Sequence, residues 1–316
     1  MRIVVLDDYQ GIALRTGRWS ELGDDVTVTP LRTHVEGREL IDALIDADVV
    51  VAMRERTAFP REVLEQLPNL RLLVTTGMVN AAIDTGAAAE LGVTVCGTGG
   101  VASPTAELTW GLILALLRNI PAEDAAMRAG GWQHTVGRGV AGKTLGVVGL
   151  GRLGAAVARI GAAFGMEVQA WSPNLTAERC AEHAVRLASK AELFATSHVV
   201  TIHMVLSRRT RGLIGRADLD RMRPDAVLVN TSRGPLVDTA ALIDALRGGR
   251  IAGAALDVYD REPLPADDPL RSLPNTVLTP HLGYVTEETM RVFYDHIVED
   301  VKAFRAGSPI RVLAGR

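Results

Sequence analysis

Short runs of β-branched and other apolar residues alternate with helix-period segments along most of this 316-residue chain. Such alternation is typical of parallel α/β sheets, whose strands are buried on both faces. The first third contains five predicted strands, Ile3–Leu6, Val26–Thr29, Asp48–Ala52, Arg71–Thr75 and Val93–Cys96. Predicted helices lie between them, around Glu39–Ile45, Arg61–Gln66 and Ala81–Leu91. Five strands in this arrangement predict a complete, small, doubly wound domain.

A second alternating series follows the glycine-rich stretch 97–100. It opens with a mostly apolar segment, Ser103 to Arg128, that predicts one long helix interrupted near Pro121. Six strands are predicted after it, near Thr144–Val148, Glu167–Trp171, His198–His203, Ala226–Asn230, Ile251–Leu256 and Thr276–Leu278. Six strands with intervening helices are typical of a dinucleotide-binding sheet. An amphipathic helix from Thr286 to Arg305 ends the series.

Composition excludes several classes of function. The net charge is −3, and the arginines are scattered, which disfavours a nucleic-acid or acidic-membrane partner. The longest apolar run, Trp110 to Leu117, is far shorter than the roughly 20 residues that span a bilayer. Cys96 and Cys180 have no metal-site or redox spacing. No secretory leader is evident at the N-terminus. We expect a soluble, cytoplasmic protein with no membrane partner and no metal.

A glycine-rich motif lies between a predicted strand and a predicted helix. Gly149, Gly151 and Gly154 form a GxGxxG pattern whose variable positions include Arg152 and Leu153. The first glycine permits a tight turn, the second permits close approach of a pyrophosphate, and the third permits close packing of helix on strand. The alternative is a purely structural turn, but the flanking strand and helix favour dinucleotide binding.

The strand after this motif lacks the acidic residue that commonly holds the adenosine ribose. It ends at Trp171, and Ser172 occupies the expected position. A carboxylate there would bind ribose hydroxyls and repel a 2′-phosphate, whereas a neutral serine does neither strongly. The nearest downstream cation, Arg179, lies in a predicted helix. The sequence therefore predicts NAD as cofactor and does not exclude NADP.

Three polar side chains follow predicted strands of the second series, namely Arg233, Glu262 and His281. In an open α/β sheet such positions gather beside the ligand. A guanidinium can bind a carboxylate and polarise a carbonyl, and a histidine can deliver a proton to the carbonyl oxygen. A carboxylate beside an imidazole orients it and favours its protonated form.

Alternatively, His281 is a loop histidine whose polar atoms are hydrogen-bonded by backbone groups. Four other histidines are predicted to face solvent: His34, His134, His183 and His296.

The chain resembles the D-isomer-specific 2-hydroxyacid dehydrogenases, a family that includes phosphoglycerate, glyoxylate/hydroxypyruvate and formate dehydrogenases. The glycine motif at 149–154 and the segments Asn230–Pro235, Asp257–Pro263 and Thr279–Gly283 recur there in this order and at about these separations. The resemblance implies Arg233 as substrate binder, Glu262 as partner of the histidine, and His281 as general acid/base. It implies a small 2-oxo or 2-hydroxy acid as substrate but does not say which one.

The resemblance also implies further contacts. Asp257 would hold the nicotinamide carboxamide, and Thr231 and His203 would lie along the cofactor; a plain strand-end residue remains open for Asp257, and structural packing for His203. In the first domain, Val74–Gly77 resembles the loop that binds the substrate carboxylate, which includes Thr76 and Gly77. Arg54 matches a position that touches the distal end of the substrate, with an ordinary surface arginine as the alternative. Met78 either lines the pocket or fills space.

The implied fold is two doubly wound parallel-sheet domains around a cleft, one flavodoxin-like and one Rossmann-like. Residues 1–98 together with 285–316 are expected to form the substrate domain, and residues 99–284 the NAD(P)-binding domain.

Family members are commonly dimers through the cofactor domain, so a homodimer is expected. The alternative function is a nicotinamide-nucleotide-sensing binding protein, since the family also contains corepressors. An intact catalytic trio favours the enzyme.

Overall fold

The structure, a computed structural model, describes residues 1–313. The chain divides into two units, one formed by Met1–Val101 with Thr286–Arg316 and the other by Ala102–Val285. Residues 314–316, which are expected to belong to the substrate domain, lie outside the described residues.

The first unit is built on a five-stranded sheet in which every pairing is parallel. Its strands are β1 (Arg2–Val5), β2 (Thr27–Pro30), β3 (Val49–Ala52), β4 (Leu72–Thr75) and β5 (Thr94–Gly97), in the spatial order β2-β1-β3-β4-β5. That order is flavodoxin-like, and the predicted fold class is confirmed. The strands β3 and β4 are buried along their whole length, as a sheet covered on both faces requires.

Four short helices accompany this sheet: α1 (Ala13–Thr16), α2 (Gly37–Leu44), α3 (Arg61–Leu64) and α4 (Thr85–Glu90). A 3₁₀ turn also covers Trp19–Leu22. The sequence pattern did not predict α1 or this turn. Helix α4 begins four residues after the predicted start at Ala81, because the Asp84 carboxylate caps it by accepting the Ala87 amide at 2.8 Å.

The second unit is built on seven parallel strands. They are β6 (Thr144–Val148), β7 (Glu167–Trp171), β8 (Arg186–Leu187), β9 (Val199–Ile202), β10 (Val227–Asn230), β11 (Gly253–Leu256) and β12 (Thr276–Leu278). Their spatial order, β8-β7-β6-β9-β10-β11-β12, is the Rossmann order with one strand added. The prediction of six strands missed β8, which has two residues and is too short to show a pattern.

The long helix predicted from Ser103 to Arg128 is instead two helices, α5 (Ser103–Leu117) and α6 (Ile120–Arg128). The chain breaks where Asn119 adopts a left-handed conformation with φ of +53°. Pro121 lies in the first turn of α6, where its missing N–H costs nothing. Helix α5 is heavily buried, whereas α6 has no buried residue.

The remaining helices of the second unit are α7 (Arg152–Ala163), α8 (Ala177–Ala181), α9 (Lys190–Thr196), α10 (Arg216–Leu219) and α11 (Thr239–Arg247). Two 3₁₀ turns cover Gly234–Leu236 and Pro269–Ser272. Neighbouring strand residues supply the two faces of the sheet: Val147 belongs to one buried core, and Val148 to the other. Both faces are therefore covered by helices.

The last helix, α12 (Glu287–Arg305), belongs to the first unit. The Thr286 hydroxyl caps it by accepting the Thr289 amide at 3.3 Å. Its apolar side is buried, and the ring of Tyr294 meets that of Trp19 edge to face with centroids 6.0 Å apart. Within residues 1–313, none of the helices combines the length and apolar character needed to cross a membrane.

Candidate active site

The glycine motif is the turn between β6 and α7, and each glycine has a distinct steric role. Gly149 has φ of +98°, and a Cβ on it would lie 2.6 Å from the carbonyl oxygen of His203. A Cβ on Gly154 would lie 2.0 Å from the Gly149 carbonyl oxygen, so helix and strand could not approach as they do. Around Gly151 there is open space, with no atom within 4 Å of a Cβ built there. The motif thus combines two packed glycines with one that leaves room for a ligand.

Helix α7 begins at Arg152, directly after Gly151, and no side chain caps its N-terminus. Leu153 and Gly154 complete the first turn. Uncapped amides at a helix start carry a partial positive charge and bind phosphate groups well. The open space at Gly151 and the uncapped helix start together fit the pyrophosphate of a dinucleotide.

The strand next to the motif ends without a charged side chain. The Gly149 amide donates to the Trp171 carbonyl at 2.8 Å, which places the end of β7 beside the glycine turn. Ser172 follows Trp171 and is half-buried, and no charged residue occurs before Glu178. Arg179, the cation considered from the sequence, forms an ion pair with Glu182. No carboxylate is therefore available at this end of the sheet to bind the adenosine ribose. Arg179 is already engaged by Glu182.

His203 and Thr231 lie at the ends of β9 and β10. The Nε2 atom of His203 lies 2.9 Å from the Thr201 hydroxyl oxygen, and burial lowers the pKa of His203 to about 4. The imidazole is therefore neutral near pH 7. The Thr231 hydroxyl oxygen lies 2.8 Å from that of Thr109 on α5. Both side chains are thus held by neighbouring hydroxyl groups.

His281 and Glu262 form a close pair. Nδ1 of His281 lies 2.6 Å from Oε2 of Glu262, and both side chains are largely buried, with 12% and 21% exposed. The other carboxylate oxygen, Oε1, accepts the Tyr259 amide at 3.0 Å. A carboxylate at Nδ1 fixes the proton on that atom, so Nε2 is left for proton exchange with a ligand. The pair has the arrangement that general acid–base catalysis needs.

Asp257 is fully buried and bonds to the segment that carries His281. Its Oδ1 accepts the Thr279 hydroxyl at 2.6 Å and the Leu282 amide at 2.7 Å, and its Oδ2 accepts the Gly283 amide at 2.9 Å. Burial raises the pKa of Asp257, and these three donors act in the opposite direction. The carboxylate therefore has one acceptor position left, on Oδ2.

Arg233 ends the segment after β10 and is partly buried. Its Nη1 donates to the Ser232 carbonyl at 2.7 Å, and its own carbonyl accepts the Asn230 side-chain amide at 2.9 Å. The next residue, Gly234, packs so closely on the loop after β11 that a Cβ would lie 2.1 Å from the Tyr259 carbonyl carbon. The loop with Arg233 therefore touches the loop with Glu262.

The candidate substrate residues of the first unit also come together. The Arg54 amide donates to the Thr76 hydroxyl at 2.9 Å, and Nη1 of Arg54 donates to the Thr76 carbonyl at 3.2 Å. Gly77 has φ of +94°, and its amide donates to the Thr98 hydroxyl at 2.9 Å. Met78 follows and is 46% exposed. The amides of Thr76 and Gly77 are both used within the unit, since Thr76 donates to the Ala52 carbonyl.

Two of the histidines expected at the surface are partly buried and hydrogen-bonded. Nδ1 of His34 lies 2.9 Å from the Asp7 carboxylate, and Nδ1 of His296 accepts the Gly99 amide at 2.9 Å. His183 is also partly buried, whereas His134 is exposed as expected. The prediction was wrong for His34, His183 and His296. The partners of His34 and His296 are distant in sequence, where no local pattern reveals them.

The sequence reasoning missed two residues that shape the site, Thr279 and Tyr259. Thr279 donates to Asp257, while the Tyr259 phenol donates to the carbonyls of Leu256 and Thr279 at 3.1 and 2.9 Å. Both occur inside motifs already recognised. The sequence feature that could have identified Thr279 is its hydroxyl group, two residues before the candidate histidine His281. Among the described residues, no histidine, cysteine and carboxylate groups cluster as a metal site would.

Comparison with known proteins agrees with this geometry. The family model for the NAD binding domain of D-isomer specific 2-hydroxyacid dehydrogenases matches residues 110–283. The chain belongs to this family. The match covers most of the second unit, which is therefore the NAD-binding domain that this model describes. The glycine turn, the His281–Glu262 pair and Arg233 all lie within it or at its end.

Similarity to members of the family extends beyond the residues that the model matches. It is 37% identical to the D-3-phosphoglycerate dehydrogenase of Methanocaldococcus jannaschii over 90% of its length, although it spans 55% of that relative. It is 41% identical to the glyoxylate reductase of Aeropyrum pernix, covering 78% of this chain and 76% of that one. The phosphoglycerate oxidoreductase structure from Vibrio cholerae superposes with a TM-score of 0.93 at 37% identity, covering 98% of this chain and all of the other. The chain thus spans about half the length of the phosphoglycerate dehydrogenases it matches.

Proposed function

We propose that this dehydrogenase interconverts a small 2-oxo acid and the corresponding D-2-hydroxy acid, with His281 as the general acid/base. When bound, NAD(P)H supplies the hydride that reaches the carbonyl carbon. During reduction of the oxo acid, His281 gives the proton on Nε2 to the carbonyl oxygen. Glu262 stabilises the protonated imidazole through Nδ1. Arg233 binds the substrate carboxylate and polarises the carbonyl. In the reverse direction, Nε2 takes the hydroxyl proton.

The observation that supports this proposal most directly is the 2.6 Å contact between Nδ1 of His281 and Glu262. A loop histidine satisfied by backbone would not need a largely buried carboxylate at that distance, because an ion pair of this kind carries a desolvation cost. In catalysis the same pairing has a use, since it fixes the tautomer and orients Nε2.

The cofactor is proposed to lie along the carboxyl ends of β6, β7, β9 and β10. Gly149, Gly151, Arg152, Leu153 and Gly154 would hold the pyrophosphate, and Ser172 the adenosine ribose. His203 and Thr231 would line the remainder of the cofactor. The last acceptor position of Asp257 would take the carboxamide N–H. NAD is the expected cofactor, with NADP also accepted at the neutral Ser172.

On the substrate side we propose Arg54, Thr76, Gly77 and Met78 of the first unit. Thr76 and Gly77 form the bend, but their amides are occupied. The amide of Met78 is therefore the better candidate for binding the substrate carboxylate. Arg54, fixed by Thr76, would contact the distal end of the substrate and so help to select it.

The test is a panel of 2-oxo acids, including glyoxylate, assayed with NADH and with NADPH, together with oxidation of D-3-phosphoglycerate. We expect reduction by the wild type and a loss of kcat of at least about 100-fold in His281→Ala. His134→Ala, at an exposed histidine, is the matched control and should retain full activity. Activity in His281→Ala equal to wild type would rule out the assigned role.

The alternative is a nucleotide-sensing binding protein with the same fold. It predicts that the wild type binds NADH and reduces no member of the panel. The close Glu262–His281 pair favours the enzyme, because cofactor sensing needs no proton donor.

We also propose a homodimer formed through the NAD-binding domain. Helix α6 has no buried residue, and its apolar side chains Ile120 and Met127 are 52% and 57% exposed. Trp132, which follows it, is 71% exposed. Apolar groups exposed together in this way are typical of a protein interface. Sedimentation velocity should give a dimer for the wild type and a monomer for Ile120→Glu with Met127→Glu, whereas an unchanged mass in both would contradict this interface. We expect the enzyme to work in the cytoplasm.

A further inference from the structure

The segment that carries His281 has a strained centre. His281 itself adopts a left-handed backbone conformation, with φ of +55°. Residues other than glycine rarely adopt this conformation without support from their surroundings. The position of the imidazole therefore depends on whatever holds the residues on either side of it.

Asp257 bonds to the chain on both sides of His281. On the N-terminal side it accepts the Thr279 hydroxyl at 2.6 Å, and on the C-terminal side it accepts the amides of Leu282 and Gly283 at 2.7 and 2.9 Å. Its backbone carbonyl also accepts the His281 amide at 2.8 Å. One buried residue thus makes four hydrogen bonds to a five-residue segment.

A second element holds the same segment. The Thr105 hydroxyl on α5 donates to the Gly283 carbonyl at 2.8 Å. There is little free space around this contact, because a Cβ on Gly283 would lie 3.2 Å from Oδ2 of Asp257 and 3.3 Å from Thr105. Movement of the segment would therefore break charge-assisted hydrogen bonds inside a buried site.

We infer that Asp257 and Thr279 are positioning residues that fix the imidazole of His281 for proton transfer. This inference rests on the proposed function. It gives Asp257 a role beyond contact with the cofactor, since three of the four acceptor positions of its carboxylate are occupied by the segment 279–283. Proton transfer depends steeply on donor geometry, so a loosened segment should lower kcat more than it weakens binding.

Thr279→Val tests the inference without altering any group proposed to touch the cofactor. It keeps the shape of the side chain and removes the hydroxyl donor. We expect kcat at saturating substrate to fall about 10-fold with the Kd for NADH within about twofold of wild type, and Thr279→Ser to recover most of the loss. Thr276→Val is the matched control, since that hydroxyl donates to the Leu273 carbonyl at 2.9 Å and not to Asp257. It should behave as wild type.

Asp257→Asn separates positioning from cofactor contact. An amide in place of the carboxylate sets an N–H group against one of the donors of the segment, so hydrogen–deuterium exchange at residues 279–285 should become at least about 10-fold faster. Binding of NADH and of ADP-ribose, which lacks the nicotinamide, is measured in parallel. A role confined to the carboxamide predicts weaker NADH binding, unchanged ADP-ribose binding and unchanged exchange. That result, or wild-type kcat in Thr279→Val, would overturn the inference.

The exchange measurement needs no turnover, so it also distinguishes this inference from the proposed function. If His281→Ala were fully active while exchange still accelerated in Asp257→Asn, the proposed function would fail and Asp257 would hold the segment for another purpose. If His281→Ala were inactive and Thr279→Val fully active, the proposed function would stand and the inference would fail.

Discussion

Glu262 holds His281 through one carboxylate oxygen and is itself held through the other. Oε2 lies 2.6 Å from Nδ1 of His281, and Oε1 accepts the Tyr259 amide at 3.0 Å. The carboxylate therefore cannot rotate freely about the imidazole. It defines which ring nitrogen carries a fixed proton and which is left for the substrate.

Glu262→Gln keeps the size of the side chain and removes its charge. A neutral amide stabilises a protonated imidazole less than a carboxylate does, so kcat/KM for oxo-acid reduction should fall at least about 10-fold. The Kd for NADH should stay close to that of wild type. Steady-state kinetics and fluorescence titration measure the two quantities. Glu65→Gln is the control and should match wild type. Glu65 is exposed, and its Oε1 lies 3.8 Å from Nη1 of Arg61. Unchanged kcat/KM would make Glu262 a structural residue.

Arg233→Lys keeps the positive charge but loses the planar, forked donor group. A lysine cannot bind a carboxylate through two parallel hydrogen bonds, so KM for the oxo acid should rise and kcat should fall, with kcat/KM lower by about 100-fold. Arg159→Lys on α7, at an exposed position, should match wild type. Equal kinetics in the two variants would exclude Arg233 from substrate binding.

Ser172→Asp should change the preference between the two cofactors. The wild type is expected to use NADH and to accept NADPH, since the end of β7 carries no carboxylate. An aspartate would bind the ribose hydroxyls and repel a 2′-phosphate, so the ratio of kcat/KM values should shift toward NADH by about 1 to 2 kcal/mol. Binding titrations with both cofactors should show the same shift. Asn174→Asp adds the same charge two residues away and should shift the ratio less. A wild type that already rejects NADPH strongly would show that another residue sets the preference.

Asp300 should make stability depend on pH. It is fully buried on α12, and Oδ2 has no hydrogen-bond partner among residues 1–313, while Oδ1 accepts Nε of Arg311 at 3.0 Å. Burial raises the pKa of Asp300 from 3.8 to about 7. Between these two pKa values the folded protein keeps a proton that the unfolded chain has lost. The free energy of unfolding therefore falls as the pH rises through this range.

Urea unfolding of wild type and Asp300→Asn at pH 5 and pH 7 measures this effect. Between these pH values the wild type should lose up to about 3 kcal/mol more stability than the variant, at 1.36 kcal/mol per pKa unit. Asp42→Asn, at an exposed residue paired with Arg38, should keep the wild-type dependence. Equal pH dependence in wild type and Asp300→Asn would show that the buried carboxyl does not hold this proton.

The sequence by itself determined the class of both sheets and the position of the glycine turn. These features follow from local patterns: strand length, flanking turns and the glycines that a tight approach requires. It also predicted that Arg233, Glu262 and His281 belong to one site, because the carboxyl ends of adjacent parallel strands meet at one edge of a sheet. Residues that follow strands can therefore be grouped without knowing any loop conformation.

Only the tertiary structure decided which polar atoms of the site make contact. The bond between Thr279 and Asp257 joins positions 22 residues apart, and that between Gly283 and Asp257 joins positions 26 apart. Such contacts depend on loop backbones, including the left-handed conformation of His281, that no periodic pattern encodes. The same reason explains the contact of His34 with Asp7 and the break at Asn119. Periodicity specifies which face of a strand or helix is buried, whereas the dihedral angles of loops determine which polar atoms meet.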